Sequence, residues 1–254
     1  MIRKTLLAVL LAASGVSAHA ALNTGDIAFT SFNADEDGLS FVALTNIAAN
    51  TNIYFSDNEF VSGAFNTGES FNQWNSGSSA IAAGSVVRFS AYDKTTLSSS
   101  VGTLSRVTVS GSSNWGIANS NETIYAYLGT AATTPTTFLS AITNGSFTSN
   151  GPLDGTGLTE GDNAIRLNTY ATSATPDYAE YNGSRNGETS FVNYRALVNN
   201  AANWTVDTTD GSYATSVPNT TAFTITAVPE PESYALFLAG LGLIGAIARR
   251  RVVR

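Results

Sequence analysis

The chain has 254 residues, with 19 Asp and Glu against 12 Lys and Arg, a formal net charge of −7, one His and no Cys. The acidic balance repels phosphate backbones and argues against nucleic-acid binding, and the missing thiols remove disulfides and cysteine chemistry. Only 12% of residues are charged. Ser, Thr, Asn and Gly take their place, a composition that suits an exported, strand-rich surface.

The first twenty residues have the layout of an export signal. Arg3 and Lys4 form a positive start, residues 6–13 an apolar stretch, and Ala18-His19-Ala20 a small-residue cleavage site. Cleavage after Ala20 leaves a mature chain starting at Ala21. It also removes His19 and Met1, the only His and Met. Ser-His-Asp and Cys-His catalysis and Cys/His zinc sites are then excluded. Arg3, Lys4, Arg249, Arg250, Arg251 and Arg254 lie at the two ends. The region between holds six basic residues against seventeen acids, a balance of about −11, compatible with divalent cations or simple solubility.

From residue 26 the pattern is that of short strands. Residues 26–32 (DIAFTSF) alternate, 33–38 (NADEDG) turn, and 39–46 (LSFVALTN) return. Residues 52–57 (NIYFSD) make a third strand. Residues 58–77 read as a loop whose Phe60, Phe65, Phe71 and Trp74 pack over a sheet end. Strands are expected within 81–92 after an Ala83-Gly84 turn, within 104–109 and within 115–128. Residues 129–163 read as a long decorated connection with one short element at 137–142. Residues 164–167 form a further strand, 191–198 (FVNYRALV) the one short helix, and 222–228 (AFTITAV) the last strand. Short strands at nearly even spacing imply an all-β sandwich or barrel spanning 21–227.

The last 27 residues change character. Val228-Pro229-Glu230-Pro231 is polar and stiff, since proline fixes φ and removes a donor. Tyr234-Ala235-Leu236-Phe237-Leu238-Ala239-Gly240-Leu241-Gly242-Leu243-Ile244-Gly245-Ala246-Ile247-Ala248 is almost uniformly apolar, and Arg249-Arg250-Arg251 follows. As a helix this run covers about 22 Å against a hydrocarbon core of about 30 Å. Interfacial anchoring, snorkelling and local thinning absorb that mismatch, and the arginines keep their end cytoplasmic. The three-part order resembles the PEP-CTERM sorting signal of exported Gram-negative proteins. That resemblance implies an exosortase as partner, besides the general secretion machinery. It further implies transient anchoring in the inner membrane by residues 234–248, then delivery to the cell surface or extracellular matrix.

A second resemblance lies in Gly25-Asp26-Ile27-Ala28-Phe29-Thr30, Gly38-Leu39-Ser40-Phe41-Val42-Ala43-Leu44 and Ile53-Tyr54-Phe55-Ser56-Asp57-Asn58, with Ile81-Ala82-Ala83-Gly84-Ser85-Val86-Val87 and Asn119-Ser120-Asn121-Glu122-Thr123-Ile124-Tyr125 beyond them. These segments resemble the opening of lamin-tail-like domains. They imply an immunoglobulin-like β-sandwich with a binding or scaffolding role, no catalytic residues and no cofactor.

Residues 33–38 also match the start of a calcium loop, but position 12 from Asn33 is Leu44, where a bidentate Glu is needed. Asp37-Gly38 reads equally as a hairpin turn. Asp35, Asp37 and Asp57 are the metal-ligand candidates, as a site shared between two loops. Carboxylate pairs drawn from Glu59, Glu69, Glu122, Glu160, Glu180 and Glu188 are the machinery left for hydrolysis, with no spacing that selects a pair. Tyr178, Tyr181, Tyr194 and Trp204 offer either a sugar-stacking platform or core packing. Two functions follow: a non-catalytic surface protein that binds or scaffolds extracellular polysaccharide, or a secreted carboxylate-dependent glycan hydrolase.

Overall fold

The alternating apolar residues at the start of the chain build β1 (Ile27–Asn33), β2 (Gly38–Ala43) and β3 (Asn52–Ser56), close to the expected segments. β1 and β2 form an antiparallel hairpin, and Asp37 makes its turn with a left-handed φ of 56°. In the computed structural model the described residues are 21–92, 94–149, 151–170, 176–208, 211–226, 236–241 and 244. The expected signal peptide, with Ala18 and Ala20, lies outside them.

β4 (Phe60–Val61) and β5 (Ala64–Phe65) make a miniature hairpin, followed by β6 (Phe71–Asn75), β7 (Val86–Ser90), β8 (Ser98–Ser99) and β9 (Thr103–Arg106). The second half supplies β10 (Thr123–Ala131), β11 (Thr134–Thr143), β12 (Ala164–Arg166), β13 (Tyr178–Tyr181) and β14 (Trp204–Asp207), with one short α-helix, α1 (Tyr194–Val198). Two six-stranded sheets result, ordered β14-β13-β1-β2-β7-β8 and β12-β11-β10-β3-β6-β9. β11 and β12 run parallel, and the other pairings within these sheets are antiparallel. The architecture is a β-sandwich.

Its core follows from the two-residue side-chain period of strands. Ile27 and Phe29, Leu39 and Phe41, and Val87 and Phe89 come from one sheet. Ile53 and Phe55, Trp74, and Ile124 and Ala126 meet them from the other. The alternate residues of the second sheet build another apolar layer on its outer face. Tyr125, Tyr127, Phe71 and Phe138 lie there under Phe60, Phe65, Phe147 and Leu158. On the first sheet α1 packs against β1, and Phe223 stacks on Tyr181 and meets Tyr194 edge-on.

Three expectations need correction, and one open alternative is decided. Residues 71–75 are an interior strand, hidden in the sequence by Asn72, Gln73 and Asn75. The connection 129–163 contains β11, the longest strand. Its first half is exposed and carries Thr and Pro, so only 138–143 look like core. The decorated part shrinks to 144–163, which lends Phe147 and Leu158 to the outer layer. Residues 178–181, left unassigned by the sequence, form a strand between β1 and β14, and of the two alternatives for these aromatics it is core packing that holds. Tyr181, Tyr194 and Trp204 are core residues, and Tyr178 stacks on Tyr213. Residues 222–226 form no regular strand. They hold to the sandwich by a single bridge from Ile225 to Glu188 and by bonds from Phe223 N to Gly84 O and Thr224 N to Arg185 O.

Gly84 makes that attachment possible. Its φ is +88°, and a Cβ there would lie 2.3 Å from Phe223 O and 2.5 Å from the Phe191 ring. Urea unfolding is expected to show Gly84→Ala losing about 2–4 kcal/mol through strain and clash. Gly63→Ala, with φ +85° but open space around its Cβ, is expected to lose only about 1 kcal/mol.

Candidate functional site

β3, β6 and β10 are neighbours in the second sheet, and one end of this trio is polar. Asp57 follows the last residue of β3, Glu69 precedes β6 by two residues, and Glu122 immediately precedes β10. Strand parity sets their directions. Ile53 and Phe55 face the core, so Asp57 continues that row, and Glu122 continues the row of Ile124 and Ala126. One carboxylate oxygen from each of Asp57, Glu69 and Glu122 lies within 4.8 Å of the others. Asp57 and Glu122 are only 3% and 4% exposed.

Backbone and hydroxyl donors orient the group. Ser70 donates to Asp57 Oδ1 from its N–H at 2.7 Å and from its hydroxyl at 2.8 Å. Ala118 N–H donates to Glu122 Oε2 at 3.0 Å, and Glu69 N–H donates to Asn58 Oδ1 at 3.1 Å. Asp57 Oδ2 is buried and receives no hydrogen bond. Both amide atoms of Asn72, on the inward face of β6, are likewise unpartnered although the residue is 0% exposed. Tyr92 reaches in from beyond β7 of the opposite sheet. Its hydroxyl, fully buried, lies beside Asn72 and Ser70 without closing a hydrogen bond of normal geometry.

Crowding these acids away from water changes their ionisation. Burial, then the nearby Glu69, pushes the Asp57 carboxyl up to about 7, and the Ser70 donors hold it back only in part. Burial and the Asp57 charge raise Glu122 well above the usual carboxylate range, while burial and Glu59 raise Glu69. Burial and Asp57 also hold the Tyr92 phenol in its neutral form.

Of the three metal-ligand candidates, only Asp57 belongs to this cluster. Asp37 accepts from Ile117 N–H at 2.6 Å and pairs with Lys94 at 3.7 Å, and Asp35 accepts from Tyr213 N–H at 2.6 Å. Residues 33–38 therefore act as a hairpin turn that ties down two distant segments. Glu69 and Glu122 were legible only as acids next to strands. The signal was their parity, and for Glu69 it needed the hidden strand at 71–75. Elsewhere among the described residues lie two clefts of note. One of about 440 Å³ is lined by Glu160, Arg166 and Asn199 among others, and one of about 350 Å³ by Phe60, Pro152 and Asp154 among others. Neither has a pair of carboxylates in its lining.

The C-terminal segment supplies the comparison with known proteins. Residues 227–251 match the PEP-CTERM protein-sorting motif. The PEP-CTERM match supports export and exosortase sorting to the cell surface. No curated protein and no solved structure matches the chain, so the lamin-tail-like resemblance gains no support. Within the sorting motif, residues 236–241 and Ile244 are helical and exposed. Among the described residues no helix is long and apolar enough to cross a membrane. Val228 to Pro231, Tyr234, Ala235, Gly242, Leu243 and residues 245–251, including Arg249, Arg250 and Arg251, lie outside the described residues.

The buried acids set the sign of a pH effect on the metal-free protein. A carboxyl whose folded pKa is raised contributes stability that is complete below its unfolded pKa of about 4. That stability is lost as pH rises through the folded value, about 7 for Asp57. In chelator, the melting temperature is expected to fall by about 5–10 °C between about pH 4 and pH 8. Asp57→Asn should flatten this slope in the same thermal melts.

Proposed function

We propose that this chain is an exported, exosortase-sorted protein of the cell surface or extracellular matrix, with a non-catalytic β-sandwich that binds or scaffolds extracellular polymer such as polysaccharide. The match of residues 227–251 to the PEP-CTERM protein-sorting motif carries the reading. The general secretion machinery takes the chain out through its N-terminal signal. The apolar run 234–248 then holds it briefly in the inner membrane, with Arg249, Arg250 and Arg251 on the cytoplasmic side. An exosortase processes the tail near Pro229-Glu230-Pro231.

The placement of the acids supports a non-catalytic role. A glycan hydrolase needs two carboxylates about 5–10 Å apart that flank a bound sugar. Asp57 and Glu122 are buried and only Glu69 is partly open to solvent, and the clefts at Glu160 and Asp154 each hold a single carboxylate.

Fractionation of the native host with mass spectrometry of the C-terminus tests the sorting. Wild-type protein is expected outside the inner membrane, and without the peptide that contains Arg249 to Arg251. Replacing Pro229, Glu230 and Pro231 by alanine is expected to leave full-length protein in the inner membrane. Surface delivery of chains that end at Ala227, at normal level, would remove the proposal.

A further inference from the structure

Three carboxylates that share a largely buried strand end repel one another. Sharing protons relieves the repulsion but supplies only one donor for each proton taken up, whereas a cation neutralises the charge and is coordinated by several oxygens at once. Every donor atom here apart from the Asn72 amide nitrogen is oxygen. Three carboxylates, the Asn72 amide and the Tyr92 hydroxyl make a hard set, with no imidazole or thiolate. The unpartnered Asp57 Oδ2, both unpartnered atoms of buried Asn72 and the unpartnered Tyr92 hydroxyl are gathered at this one place.

The fixed donors bear on the same point. Ser70 occupies Asp57 Oδ1 and leaves Oδ2 available, and Ala118 N–H holds Glu122 from outside the cluster. Such outer bonds are what aim carboxylates at an ion. An ion about 2.3–2.6 Å from each oxygen spans oxygens up to about 5 Å apart, and calcium tolerates irregular coordination by six to eight ligands. Magnesium, at about 2.0–2.1 Å and held to near-ideal octahedral geometry, tolerates such an irregular donor set less well.

We propose that Asp57, Glu69 and Glu122, with Asn72 and Tyr92, form a calcium site between the two sheets at this end of the sandwich. The ion joins the ends of β3, β6 and β10 to the segment beyond β7 of the facing sheet. The site is structural and stands independently of the sorting reading.

The test uses the full-length chain, freed of metal by chelation and held at pH 8. Calcium chloride is titrated in up to about 10 mM, the range of weak extracellular sites. Calorimetry is expected to show about one ion per chain, and the melting temperature should rise by about 5–10 °C near saturation. Glu122→Gln and Asp57→Asn should abolish the rise. Without calcium, Asp57→Asn should melt no lower than wild type, because a buried charge is gone. Glu69→Gln, at the half-buried rim, gives the same readout if either of the others fails to fold. Asp154→Asn, at an exposed position, should leave the response intact. Absence of heat and of a melting shift at about 10 mM calcium would overturn the proposal. So would an equal shift in wild type and all three variants, or a magnesium response larger than that to calcium.

Discussion

Phe41 touches rings from both sheets. Trp74 and Phe55 meet it from the second sheet at centroid distances of 5.4 and 5.8 Å, and Phe89 from its own at 5.7 Å. Phe55 in turn meets Phe29 and Phe89 edge-on. Edge-to-face rings fix orientation as well as separation. Between two sheets without a disulfide to join them, this knot sets which strands oppose one another. The inner parity of β2, β3, β6 and β7 is therefore determined, because a one-residue slip would turn these rings outward.

The same parity explains the second apolar layer. Once Phe55 and Trp74 face inward, Tyr54 and Phe71 must face out, as must Tyr125 and Tyr127 beside Ile124 and Ala126. Bare, that face would expose a row of large rings. The β4–β5 hairpin and the 144–163 connection cover it with Phe60, Phe65, Phe147 and Leu158. Tyr125 and Tyr127 send their hydroxyls to the carbonyls of Pro152 and Ala132, so burial leaves these polar tips satisfied. The irregular segments are thus consequences of which residues the knot turns outward.

Legibility in the sequence follows how much each strand depends on tertiary cover. β1 to β3 and β10 announce themselves, because Ile27, Phe29, Leu39, Phe41, Ile53, Phe55, Ile124 and Ala126 alternate without interruption. β6 does not, since Asn72 and Gln73 sit in mid-strand and only neighbours on both sides make it an interior strand. β11 shows half of itself, its exposed start reading as loop. The tail was legible because three physically different blocks follow in order, and no tertiary contact is needed to see them. The acidic cluster was illegible as a unit. Its members are separated by 12 and 53 positions, and nothing local says that residues 57, 69 and 122 share a strand end. Asp35 and Asp37 looked better by spacing, yet their oxygens serve backbone donors at Tyr213 and Ile117.

Asn72 connects the aromatic knot to the acids. It stands on the inward face of β6 two residues from Trp74, where the row of rings gives way to polar atoms. Ser70 continues the row outward and holds Asp57. The end of the core is thus a graded boundary, from rings to an amide and a phenol to carboxylates. An apolar closure would serve cohesion better, as buried charge generally gives less stability than well-packed hydrocarbon. What the polar boundary adds is coupling between distant parts of the chain. β3 and β6 belong to the first third of the sequence, and β10 opens the second half. Repulsion among their acids opposes bringing these parts together, whereas a shared ion or shared protons favour it. The free energy of closing this end of the sandwich thereby depends on the solvent the chain enters, in a way the aromatic knot alone cannot provide.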